Sequence, residues 1–409
     1  MNDTEELSLQ PTGKTYFFIA ALLAGTIALA PFALDTYLPA FPEMAQALST
    51  SVHDISLTIG VYVFFLALGQ LVGGPLADQF GRSRIMIGGV AVFAIASMVM
   101  SYVTTFSDLM IARVFQALGG GLATVCVSAI VRDRFSGKEA ARFFSTIGLI
   151  MILAPAVAPS LGSILLEMFG WRSIFIFLTV YALVLIPLIS LGLFGNAPKF
   201  VPQPSTGSLL QKYKAVLQTT SAMPYLFIQT MSFAVMLSFL GHASFIYQEH
   251  FGASTTLFPI LLGCNVALMI IMNLCNRVAL NKHDPDTIMR WALIAQCLGV
   301  TALLAVVLFS PSLTLFLPAM VITIGTMGAS TPNCQACFME YFDTLSGTAA
   351  AVLGASQFAL AALITSVATI LLPESLFYIV AVQAICAYVS LILALRFAKM
   401  PSPATSANH

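Results

Sequence analysis

Charged side chains are scarce in this sequence. Asp, Glu, Lys and Arg together make up 8% of the 409 residues, and 17 acidic residues balance 17 basic ones. So little charge, with no net excess, argues against binding to nucleic acid or to a strongly charged soluble partner. The first fourteen residues lack the basic region of a secretory signal peptide, so we expect no cleavage there.

The seven cysteines do not have the even count of a secreted disulfide framework. Six of them lie inside apolar segments: Cys126, Cys264, Cys275, Cys297, Cys334 and Cys386. Cys334 and Cys337 form a CxxC, which leaves open a membrane-bound redox enzyme or a metal site. No constellation of His, Asp or Ser accompanies the pair, so we interpret it as two helical side chains that face lipid or neighbouring helices. The sequence therefore predicts that the protein is not an enzyme and binds no metal.

Long apolar segments are abundant instead, and hydrophobic residues make up 59% of the chain. Charge-free segments occupy 15–34, 55–77, 85–107, 143–166, 173–198, 215–248, 251–276, 344–373 and 375–395, and Arg113 alone interrupts 109–131. Each can cross a bilayer, for which roughly 20 apolar helical residues suffice. The run 291–339 is too long for one crossing, and Ser310-Pro311-Ser312 is a natural turn that divides it. The prediction is an all-α membrane protein with twelve transmembrane helices.

The basic residues predict the orientation of these helices. Fifteen of the 17 Lys and Arg residues fall in gaps on one side of the apolar segments, whereas the other side has only Arg172. Because short cytoplasmic loops carry an excess of Lys and Arg, we expect both termini to be cytoplasmic.

A hydrophilic stretch near the middle of the chain divides the helices into two sets of six. It begins at Asn196 and is rich in proline, serine and glycine, which is typical of a linker. We predict an N-terminal bundle at 1–195, a cytoplasmic linker at 196–218 and a C-terminal bundle at 219–409. Two such halves are common in secondary transporters, in which rocking exposes a site at the bilayer midplane to each side in turn.

Two charges lie inside the predicted membrane segments. Asp35 closes the first segment and Arg113 opens the fourth. An ionisable side chain at the centre of a transmembrane helix costs about 2.5–3.5 kcal/mol on insertion scales, so a lipid-facing position is disfavoured. We expect both in the protein interior or a wet cavity, where Asp35 can bind and release a proton. The alternative is that both cap helix ends at the membrane interface.

Several motifs together resemble a known family. The loop 74–84, GPLADQFGRSR, resembles the signature loop of the major facilitator superfamily, and 113–119 resembles its RxxQxxG motif in the fourth helix. Residues 38–42, LPAFP, are similar to the end of the first helix in its twelve-span drug:proton antiporters. The segments 170–175 and 245–252 are similar to the Bcr/CflA branch, whose members export bicyclomycin-like and chloramphenicol-like drugs.

The resemblance implies roles for particular residues. Asp35 matches the acid that exchanges protons and drug, and Arg113 matches the basic residue linked to that step. The gating loop corresponds to Gly74, Asp78, Gly81, Arg82, Arg84 and Asp133. The implied partners of Asp78 and Arg82 are Asp133 and the helix start at 346–348. The fifth helix departs from the antiporter motif, since Ala154-Pro155 and Gly162-Ser163 replace Gly-Pro and Gly-Gly.

A drug pocket would be lined by aromatic and polar side chains within the helices. The candidates are Tyr37, Tyr62, Phe65, Gln116, His242, Tyr247 and Phe358. Simple packing is the alternative for each aromatic residue, and for His242 a packing or interfacial role is the alternative. A part for Glu249 in transport is left open.

These observations predict a proton-coupled antiporter of the bacterial inner membrane that exports small, largely apolar drugs by alternating access. A broad apolar pocket suits such substrates because hydrophobic burial is non-directional. We expect a monomer that needs no cofactor, with drugs, protons and lipid as its partners. The alternative is a proton-coupled importer of a specific metabolite, for which we would expect more fixed charge in the membrane.

Overall fold

The computed structural model describes residues 13–134, 154, 157–193, 209–342, 346–372 and 375–397. These residues form helices and connecting turns, without a strand among them. The helices of the N-terminal part are α1 Gly13–Asp35, α2 Phe41–Ala47, α3 Val52–Phe80, α4 Arg82–Met100, α5 Phe106–Arg134, α6 Val157–Phe169 and α7 Arg172–Leu188. Those of the C-terminal part are α8 Leu209–Gln218, α9 Met223–Ser244, α10 Phe258–Ala279, α11 Pro285–Phe309, α12 Leu313–Gly325, α13 Met327–Met339, α14 Ser346–Leu371 and α15 Leu376–Arg396.

The predicted all-α membrane fold is confirmed. Eleven helical segments in the described part of the chain are long and apolar enough to cross a membrane. α12 and α13 together make one of them, and it begins directly after the predicted turn at 310–312. Of the predicted fifth segment, 143–166, continuous description begins at residue 157, as the shorter apolar helix α6.

The seventh crossing begins later than the sequence predicted. The charge-free segment starts at residue 215, but α8 ends at Gln218 and α9 starts at Met223, with turns between them. Pro224 lies in the first turn of α9, where a proline is tolerated because that turn has no intrahelical partner for its N–H. Val216 of α8 is buried in one cluster with Tyr225, so this end of the predicted linker packs on the C-terminal part. The domain boundaries remain predictions.

Glycines let α5 approach two neighbouring helices closely, as expected for small residues at membrane helix contacts. A Cβ on Gly119 would come within 2.6 Å of the Gly89 carbonyl oxygen and the Phe93 nitrogen, both of α4. A Cβ on Gly121 would lie 2.8 Å from the Cα of Gly69 on α3. α5 is therefore held between α3 and α4, and this packing fixes the position of Arg113 near its start.

The helix order defines two faces of the molecule. One face, which we call the Ser49 face after the turn between α2 and α3, contains the connections between consecutive helices α2 and α3, α4 and α5, α6 and α7, α9 and α10, α11 and α12, and α14 and α15. The opposite face, which we call the Gly81 face after the residue between α3 and α4, contains the connections between α3 and α4, α10 and α11, and α13 and α14.

The two halves contact each other toward the Ser49 face. Gly60 of α3 lies against Ser366 and the Ala362 carbonyl of α14, and a Cβ on Gly60 would overlap the Ser366 hydroxyl. The Ser163 hydroxyl of α6 donates a hydrogen bond to the Thr255 carbonyl across the same boundary (2.9 Å).

Toward the Gly81 face the corresponding helices leave space. A Cβ placed on Gly74 of α3 or on Gly354 of α14 would have no heavy atom within 4 Å beyond its own local helix. Among the described residues, the two halves thus contact each other near Gly60 and Ser163 and leave space around Gly74 and Gly354.

Candidate functional site

The end of α1 supplies an acceptor for Arg113. The Arg113 side chain is completely buried, and its Nη2 donates to the carbonyl oxygen of Ala33 (2.9 Å). Ala33 lies in the last turn of α1, where helical carbonyls lack intrahelical partners. The C-terminal end of a helix also carries partial negative charge, which favours a cation. Because α1 ends at Asp35, the Ala33 carbonyl is available as one of the two acceptors of Arg113.

Two tyrosine rings cover the guanidinium. The Cζ of Arg113 lies 4.3 Å from the ring centroid of Tyr37 and 4.3 Å from that of Tyr62. The Thr58 hydroxyl donates to the Ile55 carbonyl (2.6 Å), so the Tyr37 hydroxyl is the donor in its 2.8 Å bond to Thr58. A cation over an aromatic face is attracted by the ring quadrupole, more strongly when water is excluded. The rings thus stabilise a charge that has no counterion in contact among the described residues.

Gln116 links Arg113 to α4. Its Oε1 accepts from Arg113 Nη1 (2.6 Å), and its Nε2 donates to the Ser97 hydroxyl (2.8 Å). The spacing of three residues puts Arg113 and Gln116 on one face of α5. Gln116 is fully buried. In this conformation it orients Arg113 and is closed to a pocket, whereas the sequence alone suggested a lining role.

Asp35 has no such partners. As predicted, it lies in the interior, with 3% of the residue exposed. No described residue donates a hydrogen bond to its carboxyl group or forms a salt bridge with it. Arg113 donates from Nη1 and Nη2 to Gln116 and Ala33 rather than to Asp35, and its Nε has no hydrogen-bond partner among the described residues. A buried carboxyl group without a fixed partner can exchange a proton without breaking an ion pair.

α6 packs directly beside Asp35. A Cβ on Gly162 would overlap the backbone carbonyl of Thr36, the next residue along the chain. Thr36 is fully buried, and its hydroxyl donates to the Phe32 carbonyl. The fifth-helix motif departs from the antiporter pattern elsewhere, but it keeps glycine at the position where α6 touches the end of α1.

The other candidates do not join this cluster. Tyr247, in a π-helical segment after α9, is buried with edge-to-face contacts to Phe258 and Phe316 (centroids 6.3 and 6.5 Å apart). Phe65 on α3 is half-buried and packs edge-to-face on Phe64 (5.4 Å). The sequence-predicted pocket residues therefore fall into separate groups.

α9 and α14 contribute a polar pair and an aromatic pair, of which the sequence analysis predicted Phe358 and missed the other three residues. Gln229 Nε2 donates to Gln357 Oε1 (2.8 Å), and Phe233 packs edge-to-face on Phe358 (5.0 Å). Gln357 and Phe358 are half-buried. Two glutamines within apolar segments were the available signal, because a buried amide needs a partner.

The gating loop is described only in part. Gly81 ends α3 and precedes α4 with φ 95°, a conformation that favours glycine. Arg82 is half-buried and Arg84 is exposed. The side chains of Asp78, Asp133 and Ser346 lie outside the described part of the chain.

The predicted Cys334 and Cys337 pair faces neighbouring helices. Both side chains are buried, and the Cys334 thiol donates to the Tyr225 carbonyl of α9 (3.1 Å).

Comparison with known proteins decides the family. The sequence profile described as Major Facilitator Superfamily matches residues 23–366. The chain belongs to this superfamily. It is thus a membrane transporter, as predicted, and not an enzyme.

Two curated relatives span most of this major facilitator. It is 31% identical to the uncharacterized MFS-type transporter YdgK of Bacillus subtilis over 353 residues, 84% of this chain and 86% of that one. It is 27% identical to the bicyclomycin resistance protein homolog of Haemophilus influenzae over 355 residues, 86% of this chain and 89% of that one. These relatives are consistent with the predicted drug:proton antiporter branch.

The fold matches solved transporters. The crystal structure of a D-xylose-proton symporter superposes with a TM-score of 0.75, covering 94% of this chain and 98% of that one at 15% identity. At this identity the likeness establishes the shared fold.

Proposed function

We propose that this major facilitator exports small, largely apolar drugs across the bacterial inner membrane in exchange for protons. The observation that carries the proposal is Asp35, a buried carboxyl group without a hydrogen-bond or ion-pair partner among the described residues, in a chain whose buried Arg113 donates to Gln116 and Ala33 instead. The similarity to a bicyclomycin resistance protein homolog supports a drug as the substrate. The proton gradient is the only energy source required, and the transporter works as a monomer without a cofactor.

The distribution of basic residues indicates which side of the membrane each face lies on. We assign the Gly81 face, the linker at 196–218 and both termini to the cytoplasm. Contact between the halves 1–195 and 219–409 near the Ser49 face then closes the outer side, so the described conformation faces inward. In this state Asp35 releases its proton to the cytoplasm and drug enters. Rocking of the halves then exposes drug and carboxylate to the outside, where a proton binds and drug leaves.

The substrate meets residues from both halves. The half-buried rings of Phe65 and Phe358 offer apolar surface, and the carboxamide of Gln357 offers a polar group for orientation. Tyr37, Tyr62 and Gln116 act indirectly by holding Arg113. At the cytoplasmic ends, Asp78 and Arg82 close the molecule when the outer side opens, with Asp133 as a partner.

The test is drug transport in proteoliposomes with an imposed pH gradient. For vesicles of inside-out orientation, an acidic lumen should drive uptake of radiolabelled chloramphenicol or bicyclomycin. Asp35→Asn should abolish gradient-driven uptake, whereas the control Asp108→Asn, which changes an exposed acid at the start of α5, should retain it. Gradient-driven uptake that survives in Asp35→Asn would disprove the role of this carboxyl group. Drug and proton moving in the same direction would favour the importer instead.

A further inference from the structure

Two histidines face each other where the halves meet. His242 on α9 is 7% exposed, and His53 is in the first turn of α3. Their ring centroids are 6.3 Å apart. One ring belongs to the C-terminal half and the other to the N-terminal half, so the pair lies across the contact that closes the Ser49 face.

A small cavity, lined by both polar and apolar side chains, adjoins this pair. Its volume is about 20 Å³, and its lining includes His53, Ser238, His242, Thr365, Thr369 and Tyr378. One water molecule needs roughly 10–15 Å³ of such space and two or more polar partners, so the cavity can hold one water. The histidines are thus joined by a site that can hydrate either ring.

The hydrogen bonds of His242 are arranged for a protonated ring. Its Nδ1 contacts the Ser238 carbonyl (2.9 Å), which only accepts, so Nδ1 carries a hydrogen. The Thr369 hydroxyl donates to the Thr365 carbonyl (2.9 Å), which leaves a lone pair for His242 Nε2 at 3.4 Å. Both ring nitrogens therefore face hydrogen-bond acceptors. A second proton on His242, at Nε2, can be donated to the Thr369 hydroxyl.

We propose that His53 and His242 form a second proton-binding site, which keeps the outer contact closed while it holds at most one proton and opens it when both rings are protonated. The inference rests on the proposed alternating access between the two halves. Histidine is suited to this role because its unperturbed titration lies close to physiological pH. Acid outside the cell would then favour the outward-facing state, in which drug leaves and Asp35 is reloaded.

In the described part of the chain, Tyr378 and Asp54 are ionisable groups near the pair. Among the described residues that line the cavity, the only further titratable side chain is Tyr378 of α15, and α14 contributes threonines there. Asp54, next to His53, accepts hydrogen bonds from Thr50 and Ser51 in the N-terminal cap of α3 (both 2.7 Å). Two positive charges about 6 Å apart at a partly screened site shift the open-to-closed ratio roughly 10- to 100-fold.

Distance measurements without drug test this site separately from transport. In a cysteine-free background, spin labels at Gln46→Cys and Leu371→Cys, both exposed positions near the Ser49 face, report on the outer contact in nanodiscs. Lowering the pH stepwise from about 7.5 to about 4, beyond the usual range of histidine because burial disfavours the charged ring, should lengthen this distance in the parent protein.

His242→Gln should abolish the lengthening, and so should His53→Gln at the half-buried partner position. The matched control His250→Gln, an exposed histidine near the same face, should respond as the parent does. An unchanged pH response in either His242→Gln or His53→Gln would overturn the proposal. Loss of drug transport with an intact pH response would instead count against the proposed function and leave the histidine site standing.

Discussion

Replacing Arg113 by lysine tests whether transport uses the charge or the geometry of the guanidinium. Arg113 donates to two acceptors on different helices and lies between two tyrosine rings. A lysine keeps the positive charge but has a single ammonium group at a shorter reach, so it cannot bond to Ala33 and Gln116 in the same way. Methionine at this position keeps much of the side-chain volume and removes the charge.

The structure gives the expected cost of each change. Losing one of two charge-assisted hydrogen bonds should lower the free energy of unfolding of Arg113→Lys by about 1.5–3 kcal/mol. Arg113→Met loses both bonds, about 3–6 kcal/mol, but it recovers the insertion cost of a buried cation, about 2.5–3.5 kcal/mol. The net loss for methionine is therefore about 0–3 kcal/mol, similar to that for lysine.

Stability and transport should consequently diverge. We expect the two variants to unfold at similar denaturant concentrations in detergent, whereas gradient-driven drug uptake should be partly retained in Arg113→Lys and lost in Arg113→Met. Arg172→Lys serves as the control, because Arg172 is exposed and stacks on Trp171 at 4.2 Å. Uptake that simply follows stability in all three variants would refute a specific role for the Arg113 charge.

Two further substitutions test the packing around this site. Gly162→Ala should strongly impair both folding yield and drug uptake, because its Cβ would overlap the Thr36 carbonyl. In the control Gly120→Ala the new Cβ makes only ordinary contacts, at 3.4 Å, so this variant should be tolerated. Equal expression and uptake in the two variants would contradict this prediction. Tyr62→Phe should leave the free energy of unfolding unchanged or raise it by about 1 kcal/mol. The reason is that the Tyr62 hydroxyl is buried without a hydrogen-bond partner, and the phenylalanine ring would still cover Arg113. A large loss of stability in Tyr62→Phe would show that this hydroxyl is satisfied.

The sequence by itself determined the class of the protein and the location of its helices. The turn at 310–312 and the interior positions of Asp35 and Arg113 were predicted and are confirmed. These properties are local, because the bilayer thickness fixes the length of an apolar segment and makes a lipid-facing charge costly wherever it occurs. The late start of α9 was missed because charge-free residues alone do not distinguish a turn from a helix.

Only the tertiary structure decided which groups contact one another. It brings the Ala33 carbonyl and the rings of Tyr37 and Tyr62 around Arg113, and it leaves Asp35 without a hydrogen-bond partner among the described residues. It also places His53 against His242, 189 positions further along the sequence. Such contacts depend on the rotation of each helix about its axis and on how closely helices approach, which the glycines of α5 permit. No single segment of the sequence contains that information, since each contact joins helices that are far apart in the chain.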